Sequence, residues 1–519
     1  MNKDVDTRSL LGLMGVLVTA MAAEFNDQIT SAALVDVLGA LHVAHDPGTW
    51  ITSLYVSAEV IGMFTAAWCS VTFSPRRFTL FVIALNAGST LLIPTTTALP
   101  AIYTLRILQG LAGGLSIPLL MATALRVLSP SIRLYGLAAY ALTASFAPNF
   151  ATTLTALWVD VVGWRFVFLE AIPLCSIAAA LVWFGMPQDE LFLERFARFD
   201  WRGLVLAIVG LGSLTTMLQQ GDRLDWFNSS AICVLALLSA VGTPLLFVNE
   251  WFHELPFLKI QLLSRRNIAY GLVALFMFSI IGLSASEIPL TFLGEVKGYR
   301  PIQSYLVTLE VAASQLILLP LIAKLLDFKW VDARVVSFIG LALIFTACVG
   351  SSFVNSQWNR DQFFLWQVFQ AMGQPLVVMP LLMITTNSIA PHEGPFAAAL
   401  INTPRALAEA TGAWMLQLTT RWRGTLHTNR LLDQVGDNRF SLIQANPLLP
   451  RVPAPLLPDG IMRDPGSLGA FSAALQRQAA VLTLSDAYLV IAALTVCLAM
   501  VLLVLPVRTL PPRIQLAKQ

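Results

Sequence analysis

The chain has 519 residues, 56% hydrophobic and only 12% charged, against about 25% charged in an ordinary soluble domain. Its formal net charge of +2 is too small and too dispersed for a nucleic-acid surface, and a water-solvated core is excluded because apolar runs recur from end to end. The solvent of most of this chain is lipid, and its fold class is that of an all-α membrane protein. A transmembrane barrel would alternate apolar and polar residues over segments of about 10, whereas Leu204 to Leu218 and Val490 to Leu505 run unbroken.

A span needs roughly 20 mostly apolar residues at helical rise. That rule predicts spans near 11–38, 50–71, 78–97, 100–124, 134–158, 165–186, 203–219, 230–250, 269–292, 302–326, 334–353, 362–387, 396–420 and 485–507. The first run outlasts a signal peptide and lacks a small-residue cleavage site, so it reads as span one. Two segments interrupt the rhythm of short loops. Met186 to Arg202 is rich in charge and reads as an amphipathic linker. The segment Arg421 to Leu484 is expected to hold amphipathic stretches at Trp422–Val435 and Leu468–Leu482 around a Pro-rich turn region, Pro447–Pro465. The expected divisions are 1–186, the linker 187–202, two spans in 203–250, five more in 251–420, the long loop 421–484 and the last span with its tail, 485–519.

With both termini placed inside, Lys3, Arg76, Arg77, Arg126, Arg133, Arg195, Arg198, Arg202, Lys259, Arg265, Arg266, Arg513 and Lys518 fall on the inner side. The short outer loops keep Arg165, Arg223, Lys297, Arg300 and Arg360. This asymmetry obeys the positive-inside rule and would scramble if a middle span were miscounted. An offset of 261 positions lays Arg106-Ile-Leu-Gln109-Gly110 over Gln367-Val-Phe-Gln370-Ala371, Leu120 over Leu381, Pro130 over Pro391 and Ala138 over Ala399. Corresponding spans and loop prolines point to a duplicated bundle in parallel orientation. The copies lie eight spans apart, which two six-helix bundles with two inserted spans would give.

A charge inside a span costs about 2.5–3.5 kcal/mol on insertion scales, so each one is a functional candidate. Glu24 and Asp27 lie three apart on one helical face, a pair suited to trading protons or meeting a cation; a static pairing or a place in an outer vestibule is the competing reading. Arg106 needs an anionic or carbonyl partner at membrane depth. Arg405 and Glu409 are four apart, where a local ion pair competes with a cavity role. Glu59, Glu287 and Glu310 are further cavity candidates, while Glu170 and Asp160 fall nearer the interfaces, where water is expected. The five cysteines show no CxxC spacing and read as small buried hydrophobes. No GxxxxGK[ST], HExxH or GxSxG occurs, and the five histidines fall in predicted loops, which disfavours both ATP-driven transport by this chain alone and an intramembrane enzyme.

Four stretches carry a family resemblance. They are Asp27 followed by Trp50-Ile-Thr-Ser-Leu-Tyr55; Leu105-Arg106-Ile-Leu-Gln109-Gly110-Leu-Ala-Gly113-Gly114; Gly163-Trp164-Arg165-Phe-Val-Phe168 with Pro173; and Asn402-Thr-Pro-Arg405 with Gln478-Ala-Ala and Asp486-Ala-Tyr488. In this order they resemble the major facilitator superfamily, and within it the fourteen-span drug:proton antiporters of the EmrB/QacA type. Two departures stand out. The gating loop Trp68-Cys-Ser-Val-Thr72-Phe-Ser-Pro75-Arg76-Arg77 has Thr72 where the family has an aspartate, and the antiporter motif reads Ala147-Pro148-Asn-Phe-Ala151-Thr152, keeping Pro148 without the glycines.

The resemblance implies proton-coupled efflux of small organic compounds from a bacterial inner membrane, with protons as the coupling ion and no cofactor. It pairs Arg106 with Asp27 and adds Gln109 to the cavity candidates. A periplasmic adaptor with an outer-membrane channel is an implied partner, placed at the long outer segment. Transport of one specific metabolite or a siderophore-like compound is the alternative.

Overall fold

The computed structural model describes residues 7–129, 132–390, 393–437, 457 and 465–512. Among these, helices long enough to cross a bilayer follow one another as α1 (Thr7–Ala32), α2 (Trp50–Thr72), α3 (Pro75–Leu92), α4 (Leu99–Val127), α5 (Arg133–Leu157), α6 (Phe166–Gly185), α7 (Trp201–Gln220) and α8 (Ser230–Phe252). The second half holds α9 (Arg266–Val296), α10 (Pro301–Leu326), α11 (Ala333–Ser351), α12 (Asp361–Thr386), α13 (Gly394–Asp437) and α14 (Pro465–Val504). Twelve candidate spans satisfy both length and apolarity. Helices α5 and α13 have the length but fall short in apolarity, because they carry Thr143, Ser145, Asn149 and Thr152, and Asn402, Arg405 and Glu409, into the interior of the protein.

Small residues let these helices approach closely. A Cβ on Gly110 would stand 2.3 Å from the Tyr55 carbonyl oxygen, and one on Gly114 would stand 2.0 Å from that of Glu59. The pair, four apart on α4, therefore seats α2 backbone to backbone in the manner of membrane helices. Gly12 meets Gly185 between α1 and α6, and Gly340 meets Gly373 between α11 and α12.

Two helix pairs form the seam between the halves, α5 with α10 and α2 with α13. Helix α7 packs against α2 and α13 and is bonded to α2 through Ser57–Thr216 (3.0 Å) and Gln220–Ser53 (2.6 Å). Helix α8 packs behind it and exposes Leu237, Phe247 and Trp251, an apolar surface suited to lipid.

The linker after α6 is mostly extended, with a single 3₁₀ turn at Leu193–Arg198. Phe192 N–H donates to the Thr72 carbonyl at 3.0 Å, and the rings of Phe196 and Phe199 meet Trp68 edge-on at 5.0 and 4.7 Å. Aromatic contact thus fastens the linker beneath α2.

Several sequence expectations are corrected. The amphipathic stretches expected apart from the spans are continuations of them: α13 runs on to Asp437 and α14 begins at Pro465. His427 accordingly lies in a helix, where its Nε2 stands 2.6 Å from Asp486, which also accepts from Arg423 Nε at 2.5 Å. Cys175 and Cys348 are buried, but Cys233 and Cys497 are exposed on α8 and α14. Glu170 is buried and accepts from Trp158 Nε1 at 2.7 Å, and Asp160 is largely covered by Arg300 at 2.6 Å. Lys3, Pro130, Pro391, His392, Arg513, Lys518 and all of Pro447–Pro465 but Leu457 and its last residue lie outside the described residues.

Candidate functional site

Between the halves lies a cavity of about 390 Å³. Helix α1 contributes Asp27 and Gln28, α2 Thr52 and Val56, α5 Pro148 and Asn149, α9 Phe278 and Glu287, α12 Gln374, and α13 Arg405, Glu409 and Gln417. Pro148 has no N–H to offer the carbonyl one turn earlier, that of Ala144, and both residues line the cavity. Glu287 follows a break in α9 at residues 283–286. Near Glu287 and Gln417 the space continues into a second recess bordered by Asp222, Asp225 and Arg421. Asp222 and Asp225 follow the end of α7, whose Gln220 meets Ser53 near the start of α2, remote from the Thr72 loop, and Arg421 of α13 pairs with both, so the cavity is open on that side.

The other side is shut. Tyr140 O–H donates to Asn402 Oδ1 at 2.5 Å, tying α5 to α13. One turn further into the membrane, Arg405 pairs with Glu24 of α1 and donates to the Thr143 carbonyl at 3.0 Å and its hydroxyl at 3.2 Å. Both ion-pair side chains are 3% exposed, so neither charge is met by bulk water. Spacing alone suggested a local Arg405–Glu409 pair; the partner instead comes from the opposite half.

Freed from Arg405, Glu409 joins an acidic group. One carboxyl oxygen each from Asp27, Glu59 and Glu409 lies within 4.8 Å of the other two. Two of these groups belong to the first half and one to the second. Oxygen donors in this arrangement suit a proton store or a hard or hydrogen-bonding cation.

Arg106 sits beneath the acids, fully buried. It donates through Nε to the Ile51 carbonyl (3.0 Å) and through Nη1 to Gln109 Oε1 (2.6 Å), and its guanidinium lies 4.3 Å from the Tyr55 ring centre. Asp27 approaches it only to 3.9 Å. Gln109 passes the chain on to Thr90 at 2.8 Å. Gln109, Arg106 and Glu59 therefore support the cavity from behind, while Asp27, Glu287, Arg405 and Glu409 line it; Glu310 is not among the lining residues.

Thr72 is fully buried and serves through its backbone, holding Phe192. Arg76 lies 4.4 Å over the Trp183 ring, and Arg126 pairs with Asp189 of the linker at 2.6 Å. Asn149, Gln374 and the Tyr140–Asn402 contact went unremarked as site features in the sequence. Neutral side chains on separate helices give no signal until the helices are brought together, although Asn402 stood within a recognised motif.

Residues 16–413 match the model of the Major Facilitator Superfamily. The chain belongs to that superfamily. It is a multi-pass membrane transporter and not an enzyme. Over 436 residues it is 27% identical to the multidrug export protein EmrB of Haemophilus influenzae, covering 82% of this chain and 83% of that one. It is 27% identical to EmrB of Escherichia coli strain K12, covering 78% and 79%, and 25% identical to the fatty acid resistance protein FarB of Neisseria gonorrhoeae, covering 78% and 80%. Among solved structures, the proton:xylose symporter XylE bound to a bromodeoxyglucose superposes with a TM-score of 0.58 at 11% identity, covering 99% of this chain and all of that one. The human organic anion transporter MFSD10 gives 0.54 at 14%, covering 94% and 99%. At these identities the structural likeness speaks for the fold.

Proposed function

We propose that this superfamily member is a proton-driven exporter of small, amphipathic organic compounds, working by alternating access across a fourteen-span fold with both termini in the cytoplasm. Under this reading α5 and α13 count as spans whose polarity reflects the cavity they line, and α7 and α8 are the inserted pair. The observation that carries it is the placing of Asp27, Glu59 and Glu409 at one seam, contributed by both halves, beneath a cavity open to one side. Asp27 and Glu409 line a cavity that opens to outer water in this state, and rocking of the halves would turn the acidic group to inner water in the other. The export names of the EmrB relatives support the direction of transport.

Exchange then follows from competition. Protons arriving from outside neutralise the acids, compound leaves, and the halves close over a neutral seam. On the inner side protons depart and compound returns. Asp27→Asn holds the neutral form permanently, and the expected outcome in proteoliposomes is loss of transport driven by a proton gradient, with compound exchange at equal pH retained. Undiminished gradient-driven transport by the variant would remove Asp27 from coupling.

A further inference from the structure

Two buried carboxyls that line no part of the cavity meet where α7 begins and α8 ends, on the Thr72 side. Asp200 caps α7: its Oδ1 accepts from Gly203 N–H at 2.8 Å and its Oδ2 from Asn249 Nδ2 at 2.5 Å. Glu250, in the last turn of α8, accepts the Leu258 N–H at 2.8 Å through Oε2, while its Oε1 is buried without a hydrogen-bond partner. Both side chains press on one point of backbone. A Cβ on Gly203 would stand 2.3 Å from Asp200 Oδ2 and 2.8 Å from Glu250 Oε1. Asp200 is 2% exposed and Glu250 0%, so bulk water does not screen one from the other.

Among the described residues no Lys or Arg nitrogen lies within 4.0 Å of either carboxyl. His253 brings Nδ1 to 3.9 Å from Asp200 Oδ2, but that nitrogen accepts the Leu255 N–H at 3.1 Å and so offers no proton of its own. The other charges on the surrounding segments are engaged or turned away. Arg198 pairs with Glu254 at 2.9 Å, Arg126 with Asp189 at 2.6 Å and Arg265 with Glu393 at 2.6 Å. Lys259 Nζ lies 4.4 Å over the Phe396 ring, Glu190, Glu194 and Arg202 are exposed, Arg195 is half-buried, and α2 carries no charge but Glu59 of the acidic group. Two ionised carboxylates in such a place would repel one another without compensation. Their helix ends decide which keeps the charge. Asp200 sits at a helix N-terminus with two N–H donors, where an anion is favoured, whereas Glu250 sits at a helix C-terminus, where a negative charge opposes the macrodipole.

From the shared contact at Gly203 and the opposite helix ends, we infer that Glu250 binds a proton against the Asp200 carboxylate, forming a second proton site apart from the cavity, and that this proton fastens the segment joining α8 to α9. That segment hangs on Glu250 by the Leu258 N–H. Beside it, Phe257 packs on Phe64 and Trp68 of α2 at 5.3 and 6.2 Å, and Lys259 covers Phe396 of α13. When the proton leaves, two anions face each other across Gly203, and Glu250 withdraws from Leu258 to relieve them. A proton needs no open volume, only intermittent contact with water, and the His253 side chain, 26% exposed, lies between the pair and solvent. The inference goes beyond the export reading and holds whatever the cargo.

The test follows hydrogen exchange of the amides between 253 and 265 in the purified full-length protein in nanodiscs, from mildly acid to mildly alkaline pH, with intrinsic exchange rates divided out. In the wild type, protection at Leu258 is expected to fall at least about tenfold as pH rises and the proton leaves. The infrared band of protonated carboxyls should lose amplitude over the same range. Glu250→Gln holds the neutral form, so it should keep the segment protected throughout and remove that change in the band. Asp200→Asn removes the like charge yet keeps a capping oxygen for α7, and should shrink the fall; it decides the matter if unfolding midpoints show that the Gln variant has lost its fold. His253→Gln should leave the fall in place. An undiminished fall in Glu250→Gln or Asp200→Asn, no fall in the wild type, or loss of the fall in His253→Gln would each overturn the site.

Discussion

The two halves of the chain keep the same helix packing but fill equivalent positions with different chemistry. At the offset of 261, Arg106 and Gln109 correspond to Gln367 and Gln370, and the carboxyl positions Glu24, Asp27 and Glu59 correspond to Ala285, Ile288 and Pro320. In the second half Gln367 Nε2 donates to the Ala285 carbonyl at 2.8 Å and Gln370 Nε2 to Ser284 Oγ at 2.8 Å, so two neutral amides hold the break in α9. The first half uses a guanidinium for the corresponding task and surrounds it with acids. Amides suffice to pin a membrane helix. Charges cost several kcal/mol each to bury, and under the proposed function they do what amides cannot, which is to take up and give back protons or bind ions. The second half adds its own charges elsewhere, on α13, where they meet those of α1 and α2 across the seam.

Replacing Arg106 by Gln makes the first half resemble the second and should have the largest effect. Asp27 loses its nearest cation and the Ile51 carbonyl its donor. A buried charge stripped of its partner costs about 3–5 kcal/mol, so the unfolding midpoint should fall and gradient-driven flux should vanish. Arg106→Lys keeps the charge without the planar fork and should recover stability in part. Wild-type flux from the Gln variant would show that the chemical difference between the halves has no mechanistic weight.

Glu24→Gln tests the ion pair that joins the halves. Arg405 would remain bonded to Thr143 but lose its counter-charge, weakening closure of the shut side by up to about 3–5 kcal/mol. Spin labels on the adjoining ends of α4 and α13, near Leu125 and Gly394, should report a longer distance and a larger population open on that side. Exchanging the charges, Glu24→Arg with Arg405→Glu, should restore the wild-type distance distribution; failure to do so would assign Glu24 a role other than pairing.

Much of this architecture was legible in the sequence, and the limit of legibility is physical. Apolar run length located the helices, since lipid imposes it on each segment independently. The repeat was visible because Gln109 and Gln370 each anchor a span at matching depth. Asp27, Arg405, Glu409 and Glu287 were recognisable as candidates because a charge within a span is conspicuous. Partnership was not legible. Spacing of four favoured Arg405 with Glu409, yet Glu24, 381 positions away, takes the guanidinium, because only the packed seam sets that distance. The extensions of α13 and α14 were legible as amphipathic stretches, but that each continues its span as one helix was not, because an amphipathic pattern does not show whether a turn separates it from the apolar run.

The smallest effects are expected from the amides of the second half, and they separate anchoring from proton chemistry. In Gln370→Leu the Ser284 hydroxyl keeps its own bond to the Ile281 carbonyl at 2.7 Å, so nothing is left stranded but an acceptor lone pair, and the loss belongs near the low end of the 1–3 kcal/mol typical for buried hydrogen bonds, about 1 kcal/mol. In Gln367→Leu the Ala285 carbonyl loses the side-chain donor at the broken segment of α9, where regular helical bonding is interrupted, and the loss belongs near the upper end, about 3 kcal/mol. Neither amide titrates, so the pH profile of transport should keep its midpoint in both variants while the unfolding midpoints fall in that order. A displaced pH midpoint in Gln367→Leu would mean that the break in α9 communicates with the acids through Glu287, and that the neutral half takes part in coupling as well as in holding the fold.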